Sequence, residues 1–445
     1  MLTLQEFIAT QYLNQKPGPL SQDFRLEFVC TMRSDRFSVV RSGNEVRSFR
    51  GNQSQEHPIQ WPFASISKPI VSFIAIQLAE AEKLDLDQTV VSTLAIANEK
   101  FEDPRLKSVT IRHLLSHTSG LPAEVSESIW INLHFPSKRE LIHAFCTSTL
   151  KFDPGTQICY SNFAYSLGAL AIERIASQSI QELWKRQSME DRDLEDIRFS
   201  EILDFSSIIH NKLGGRSLQL NSYGPAGSVV APCMSMANFM KMVITDEAKA
   251  TTSHSEGSLS RLEADRETAL LDPEVGAKVG ILWHHTELEN VTSKVIYHTG
   301  TLPGVSSFII GLPQLDLSAA FVTNQNLDTK PIMKELVRDL AVVDEWTGSN
   351  AEVVSIRAVY EMPHFDSRIT FWGTGDHNEV ITLEHYNQSL KIFRIETESE
   401  NTILRTPSGE KLDIRFLDDA SKALFCEQVY LKRDTTGPLG VGVAK

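Results

Sequence analysis

The sequence predicts an α+β protein: an antiparallel sheet flanked by helices, an all-helical excursion, and a small C-terminal β-barrel or sandwich domain. Three observations predict it. Alternating apolar runs, Phe24 to Met32 and Phe37 to Val40, open the chain as a hairpin around Arg33-Ser34-Asp35-Arg36. Comparable runs return only from Val279 onward, after a long stretch of mostly helical period. Beyond residue 350 the pattern is strand and turn almost throughout.

Taken in order, Leu4, Phe7, Ile8 and Leu13 have helical spacing and are followed by the break Pro17-Gly18-Pro19, so a leading helix precedes the hairpin. The stretch Trp61-Pro62-Phe63-Ala64-Ser65-Ile66-Ser67-Lys68-Pro69 then runs into Ile70-Val71-Ser72-Phe73-Ile74-Ala75-Ile76-Gln77-Leu78-Ala79. Its apolar residues surround the helical wheel, which predicts a buried helix. Pro69 fits only in a first turn, so the helix begins close to Ser65. Residues 84–180 read as mostly helical and 181–275 as irregular and charged, with Thr245 to Arg266 polar enough to be an exposed loop. Strands follow at Val279 to Trp283, Val295 to His298, Val305 to Leu312 and Leu317 to Thr323, the last of them expected beside the first hairpin. A helix carrying Ile332, Leu336, Leu340 and Val343 on one face closes the unit.

Trp346-Thr347-Gly348-Ser349-Asn350 marks a boundary, so the expected domains are 1–347, a small barrel-like domain at 350–435, and a tail at 436–445 containing Gly437-Pro438-Leu439-Gly440-Val441-Gly442. The strand runs of the second domain are Ser367–Trp372, Val380–Glu384, Leu390–Ile395, Thr402–Arg405, Leu412–Phe416 and Gln428–Lys432.

A chain of 445 residues that is 41% hydrophobic and 22% charged has ample material for a core. The net charge of -14 repels phosphate backbones and anionic lipid, which disfavours nucleic-acid and membrane partners and leaves small molecules. Five cysteines, 30, 146, 159, 233 and 426, lie far apart with no Cys-x-x-Cys pair, and read as buried thiols. The start Met1-Leu2-Thr3-Leu4-Gln5-Glu6-Phe7-Ile8 lacks a basic segment and a long apolar core, so the expected location is cytoplasmic.

Ser65 and Lys68 stand three apart on one helix face. A serine at a helix start lies at the positive end of the macrodipole, and a lysine sunk in apolar surroundings tends to lose its proton; together they describe an activated nucleophile. The plain alternative is a helix cap beside a surface lysine. Ser-x-x-Lys also occurs at Ser148 to Lys151 and Ser408 to Lys411, but both copies lie at turns, and only Ser65 opens a buried helix. Two further stretches bear on it. Pro154-Gly155-Thr156-Gln157-Ile158-Cys159-Tyr160-Ser161-Asn162 brings Tyr160-x-Asn162 to the start of an apolar helix, and His298-Thr299-Gly300 ends an apolar strand before the turn Thr301-Leu302-Pro303-Gly304. A glycine on a strand permits close approach of a substrate.

Other residues have plainer readings. His113, His117, His284 and His285 cap, stack or pair rather than bind metal, because no carboxylate spacing accompanies them; no metal and no cofactor is called for. Cys159 is a packed thiol, and Trp283 belongs to the core or lines the cleft.

Together these residues resemble the serine β-lactamase and penicillin-binding-protein superfamily, particularly class C β-lactamases, DD-peptidases and related esterases, over about residues 20–345. Ile111-Arg112-His113-Leu114-Leu115-Ser116-His117-Thr118-Ser119-Gly120-Leu121-Pro122 and Gly224-Pro225-Ala226-Gly227-Ser228 look like the family too. The resemblance implies that 1–347 is a β-lactamase/transpeptidase-like catalytic domain. It implies Ser65 as the acylated nucleophile, Lys68 and Tyr160 sharing its proton, and Asn162 bonding the substrate amide or Lys68. It further implies an oxyanion hole from the N–H groups of Ser65 and Thr301, with His298, Gly300 and Thr301 lining the substrate site. His298 departs from the family's lysine, and a neutral imidazole holds a carboxylate less well than a fixed cation. The implied function is a serine hydrolase that forms an acyl-enzyme and cleaves an ester, lactone or amide of a small molecule, with a role in natural-product biosynthesis. The alternatives are an acyltransferase of the same fold, passing the acyl group to an alcohol or amine, and a non-catalytic ligand sensor.

Overall fold

Strand β1 (Arg25–Met32) folds back onto β2 (Asp35–Ser42) and β2 onto β3 (Glu45–Arg50); alternation gives β1 an apolar face, with Leu26, Phe28 and Cys30 buried. The last strand of the same unit, β12 (Leu317–Thr323), pairs antiparallel with β1, placing Phe28 opposite Phe321. The remaining members are β11 (Val305–Leu312), β10 (Lys294–Leu302), β9 (His284–Glu287), β8 (Ala277–Val279) and β7 (Thr268–Asp272), giving the order β3-β2-β1-β12-β11-β10-β9-β8-β7. The expected neighbourhood of first hairpin and last strands is therefore present. Every residue of β11 and β12 is buried, as expected of central strands covered on both faces, and Phe308 stacks on Phe321 at 5.1 Å.

This computed structural model describes residues 24–32, 35–42, 45–50, 58–126, 128–188, 193–204, 217–253, 268–272, 277–279, 284–287, 294–329, 332–333, 336, 353–361, 367–374, 378–385, 388–398, 401–405, 411–417, 422–425, 428–432 and 442–443. The expected leading helix at 4–14, Trp283, the boundary at 346–350, Cys426, and most of the closing helix and the tail lie outside them.

Between β3 and β7 runs the excursion. Besides a single turn at Ile129–Asn132, its α-helices among the described residues are α1 (Ser67–Glu80), α2 (Val90–Thr93), α3 (Ile111–Leu115), α4 (Lys138–Thr147), α5 (Asn162–Ala176), α6 (Ile180–Ser188), α7 (Gly224–Gly227) and α8 (Cys233–Ser253). It is not wholly helical. β4 (Trp61–Ala64), β5 (Arg198–Phe199) and β6 (Val229–Ala231) form a small antiparallel sheet in the order β4-β6-β5. The segment expected to be an exposed loop from Thr245 is instead helical as far as Ser253. Polarity misled there: the apolar first half of α8, with Met236, Phe239, Met240, Val243 and Ile244 buried, carries its polar end along as helix.

α8 packs on the main sheet so closely that a side chain at Gly311 would meet Ile244 Cγ2 at 2.4 Å. Phe239 of α8 meets Phe73 of α1 and Trp184 of α6 edge-on at 6.0 and 5.8 Å, so α1 is wedged among helices and strands, as its all-round apolar wheel requires. None of the helices among the described residues is long and apolar enough to cross a membrane.

Contacts divide the chain into two units: Met1–Pro122, Phe135–Gln325 and Thr329–Ala341 in the first, and Ala123–His134, Asn326–Asp328 and Val342–Lys445 in the second. Within the second, β13 (Val353–Glu361), β14 (Ser367–Thr374), β15 (Asn378–His385), β16 (Gln388–Glu398), β17 (Asn401–Arg405), β18 (Lys411–Leu417), β19 (Lys422–Phe425) and β20 (Gln428–Lys432) follow one another as an antiparallel meander. β13 pairs with both β14 and β20, which closes the meander into a barrel; β21 (Gly442–Val443) adds to β13. In the register Ile369 pairs with Leu383, Phe371 with Ile381, Ile381 with Ile392 and Leu383 with Leu390.

Candidate active site

Ser65 lies where β4 turns into α1. β4 is held by β6, with Trp61 opposite Ala231 and Ala64 opposite Val229. Ala64 then takes a left-handed backbone, φ 52°, which reverses the chain sharply enough for a helix to start at Ser67. The turn is closed by Ile66 N–H to the Phe63 carbonyl at 3.2 Å and Lys68 N–H to the Ser65 carbonyl at 3.0 Å. Ser67 staples it: its hydroxyl donates to the Ala64 carbonyl at 2.6 Å and accepts from Val229 N–H at 2.9 Å. Ser65 thus precedes the first helical residue by two positions, and Pro69 falls in the first turn, where its missing N–H costs nothing.

Lys68 is 1% exposed, and its Nζ makes two bonds, to Ser65 Oγ at 3.0 Å and to the Ala226 carbonyl of α7 at 2.8 Å. It also stands 4.9 Å from the centre of the Tyr160 ring and 5.8 Å from that of Tyr165.

Tyr160 is carried by a loop templated on the 117–122 segment. Lys151 N–H bonds the Gly120 carbonyl at 2.9 Å, Gly155 N–H the Thr118 carbonyl at 2.7 Å, and Cys159 N–H the His117 carbonyl at 2.9 Å. Gly120 must be glycine, because its φ is +77° and a Cβ would sit 2.4 Å from the Phe152 carbonyl oxygen. Immediately after Tyr160, Ser161 accepts Ala164 N–H at 2.8 Å and so caps α5, which Asn162 opens. Tyr165 on α5 donates to the Lys68 carbonyl at 2.7 Å and bonds the Ser72 hydroxyl, tying α5 to α1. Burial pushes the Tyr165 hydroxyl far above its ordinary pKa, so it stays protonated and serves as a tether.

On β10, alternation places His298 and Gly300 on one face and Thr299 and Thr301 on the other. The Gly300 face is turned to β4 and α1: a Cβ there would meet the Phe63 carbonyl oxygen at 2.2 Å, Ser307 Oγ at 2.5 Å and Ile66 Cγ1 at 3.2 Å. The close approach at this glycine is therefore made by the protein's own backbone, two residues before Ser65. His298 is 3% exposed, and its Nδ1 donates to the Thr299 carbonyl at 2.7 Å; in the neutral ring Nε2 is then the acceptor. Thr301 is half-buried, and its strand continues through Leu302 before turning at Pro303-Gly304.

Ser65, Lys68 and Tyr160, read separately from the sequence, thus meet around one ammonium group. Gly300 abuts the same turn, with His298 on its strand face and Asn162 two residues after Tyr160. Four contributors escaped the sequence reading in these roles: Ser67, Ala226, Tyr165 and His117. The stretches 224–228 and 111–122 were singled out, but nothing in them says which carbonyl or ring points inward. His113 caps α3, exchanging bonds with Thr110, and His117 stacks and pairs. Cys159 is half-buried, with burial raising its thiol pKa and Lys151 opposing. Among the described residues no group of three or more His, Cys, Asp or Glu side chains is placed to hold a metal ion.

The family model described as Beta-lactamase matches residues 37–342, well over half of the chain. The chain belongs to the Beta-lactamase family. Among curated relatives, the probable fimbrial assembly protein FimD, serogroup H1, of Dichelobacter nodosus is 29% identical over 134 residues, 30% of this chain and 34% of that protein. Protein flp of Staphylococcus aureus (strain NCTC 8325 / PS 47) is 20% identical over 288 residues, 62% of this chain and 55% of that protein. The chain thus spans about a third of the first relatives and about half of flp. A D-stereospecific amidohydrolase from Streptomyces sp. superimposes with a TM-score of 0.54 at 15% identity, covering 72% of this chain and 94% of that one. The octameric penicillin-binding protein homologue from Pyrococcus abyssi does so with 0.57 at 16% identity, covering 97% and 99%. At such identities the likeness speaks for the Beta-lactamase fold.

Proposed function

We propose that this Beta-lactamase family member is a serine hydrolase that forms an acyl-enzyme on Ser65 and cleaves an ester, lactone or amide of a small molecule. The observation that carries the reading is the 3.0 Å contact of a buried lysine Nζ with the hydroxyl of a partly exposed serine at the head of α1. Ser65 Oγ attacks the substrate carbonyl as its proton passes to whichever member of the pair is deprotonated, the neutral Lys68 amine or the Tyr160 phenolate. The same pair returns a proton to the leaving oxygen or nitrogen, and water then attacks the acyl group by the reverse path. The N–H groups of Ser65 and Thr301 stabilise the oxyanion, at roughly 3–4 kcal/mol per donor, and Asn162 orients the substrate or Lys68. The D-stereospecific amidohydrolase and the β-lactamase/D-alanine carboxypeptidases among the structural neighbours support hydrolysis at an acyl centre as the reaction class. His298, in place of a lysine, favours an uncharged substrate at the β10 edge.

Intact-mass spectrometry after incubation with a panel of esters and acyl thioesters tests this. An acyl adduct on the native protein that water removes, and its absence in Ser65→Ala, is the expected result. Ser65→Ala should still fold, since one hydroxyl at a helix start contributes about 1–2 kcal/mol. Undiminished turnover by Ser65→Ala would end the reading, and release of the adduct only on adding an alcohol or amine would make the protein an acyltransferase.

A further inference from the structure

Resting on the reading of Tyr160 as a proton carrier, we propose that His117 is the residue that positions it. His117 grips the chain on both sides of Tyr160: its carbonyl accepts Cys159 N–H at 2.9 Å, and its Nδ1 accepts Ser161 N–H at 3.1 Å. Between those two bonds its ring lies against the Tyr160 ring, 4.4 Å between centres and 31° between planes. One residue thereby fixes the preceding peptide, the following peptide and the ring plane of Tyr160.

Two features show that this grip is specified by the structure. His117 has φ 59°, a backbone state that most side chains avoid, and it is 3% exposed. The left-handed turn is what lets a carbonyl and a ring nitrogen of one residue address donors two positions apart. Nδ1 also receives an N–H, so it carries no proton of its own and the ring is neutral; an imidazolium would set N–H against N–H.

The stack continues to Tyr165, 5.5 Å from His117 and 35° from its plane, and Tyr165 is tied to the Lys68 carbonyl. Tyr160 in turn lies 4.9 Å from Lys68 Nζ. The circuit Lys68 carbonyl, Tyr165, His117, Tyr160, Lys68 ammonium is closed. The distance between the two proton-carrying side chains is thus set through His117, whose bonds to this loop go to backbone N–H groups and whose ring packs on the Tyr160 ring.

The test separates positioning from mere support. His117→Asn keeps an acceptor at the Nδ1 position and suits a left-handed backbone but removes the ring. His117→Phe keeps a ring and removes the acceptor. Each is assayed, beside Tyr160→Phe, for kcat/KM on 4-nitrophenyl butyrate, whose leaving group needs no proton, and on ethyl butyrate, whose leaving group does. A displaced Tyr160 should repeat the pattern of Tyr160→Phe in smaller measure: because Tyr160 shares in taking the Ser65 proton and in returning one to the leaving group, His117→Asn is expected to lose about tenfold or more on the ethyl ester and less on the nitrophenyl ester. In His117→Asn/Tyr160→Phe no further loss beyond Tyr160→Phe is expected. Losses on the two esters in a ratio unlike that of Tyr160→Phe, or additive losses in the double variant, would overturn the assignment while leaving Tyr160 in its role. If Tyr160→Phe itself leaves the two esters unchanged, the proton-carrier reading fails and the inference with it. Should His117→Asn not fold, His117→Phe supplies the same comparison.

Discussion

Gly300→Ala is the smallest change that reaches Ser65 without touching it. The added methyl would lie 2.2 Å from the Phe63 carbonyl oxygen and 2.5 Å from Ser307 Oγ. The hydroxyl can rotate, although it now donates to both the Phe63 and Gly300 carbonyls at 3.1 and 3.2 Å. The Phe63 carbonyl cannot rotate, because it also accepts Ile66 N–H at 3.2 Å and belongs to the turn that presents Ser65. To reach an ordinary van der Waals distance the strands must part by about 1 Å. Overpacking of this kind costs about 1–3 kcal/mol of stability. A 1 Å misplacement of a reacting group costs about 100-fold in rate. Gly300→Ala should therefore fold, unfold at lower denaturant, and lose about 100-fold in kcat/KM on 4-nitrophenyl butyrate, with slowed acylation of Ser65 by mass spectrometry. Ser307→Ala, which deletes a hydroxyl and leaves the backbone contact alone, should lose far less. Native acylation rates in Gly300→Ala would refute the idea that this glycine shapes the nucleophile turn.

Three other outcomes are expected. Tyr160→Phe keeps the ring stacked on His117 and should lose about 100-fold to 10,000-fold on unactivated esters; a loss below about threefold removes it from proton transfer. His298→Lys should shift the ratio of kcat/KM for a penicillin-type lactam over a neutral ester toward the lactam by about one to two orders of magnitude, from the roughly 1.5–3 kcal/mol of a charged hydrogen bond. A native protein already better on the lactam at pH 7 would contradict this. Asp103 is buried and accepts bonds from the Arg105 guanidinium, the Leu150 N–H and the Arg105 N–H. The Arg105 side-chain bonds, chiefly, hold its carboxyl well below the usual range. A depressed folded pKa means stability that is complete above the unfolded value near about 3.9 and is lost as pH falls below it. Asp103→Ala should cost about 1–3 kcal/mol at pH 7, since the Leu150 N–H loses its buried acceptor, and should flatten the fall in denaturant midpoint between about pH 5 and 2. An unchanged acid profile would contradict the assignment.

Patterns with a short repeat were legible in the chain itself. Alternation revealed β1 and β2, short runs bounded by Gly, Pro and Asn turns revealed β11 and β12, and the all-round apolar wheel of residues 66–79 revealed a buried helix, because each pattern is fixed by local backbone geometry. Ser65 and Lys68 were legible for the same reason, being three residues apart on one turn. α8 was less so: its polar second half has loop composition, and only packing of its first half against the sheet makes it helix. What tertiary structure alone decided is which distant groups complete the site. The Ala226 carbonyl reaches Lys68 across 158 positions, Tyr165 holds α1 across 97, and His117 meets the Tyr160 loop across 44. A backbone carbonyl has no signature in sequence, and a histidine's partners depend on a left-handed turn and on the tautomer its neighbours impose. The order of residues determined the family's fold and the pairing of Ser65 with Lys68; only the folding of α5 and α7 onto α1 determined how that pair is held.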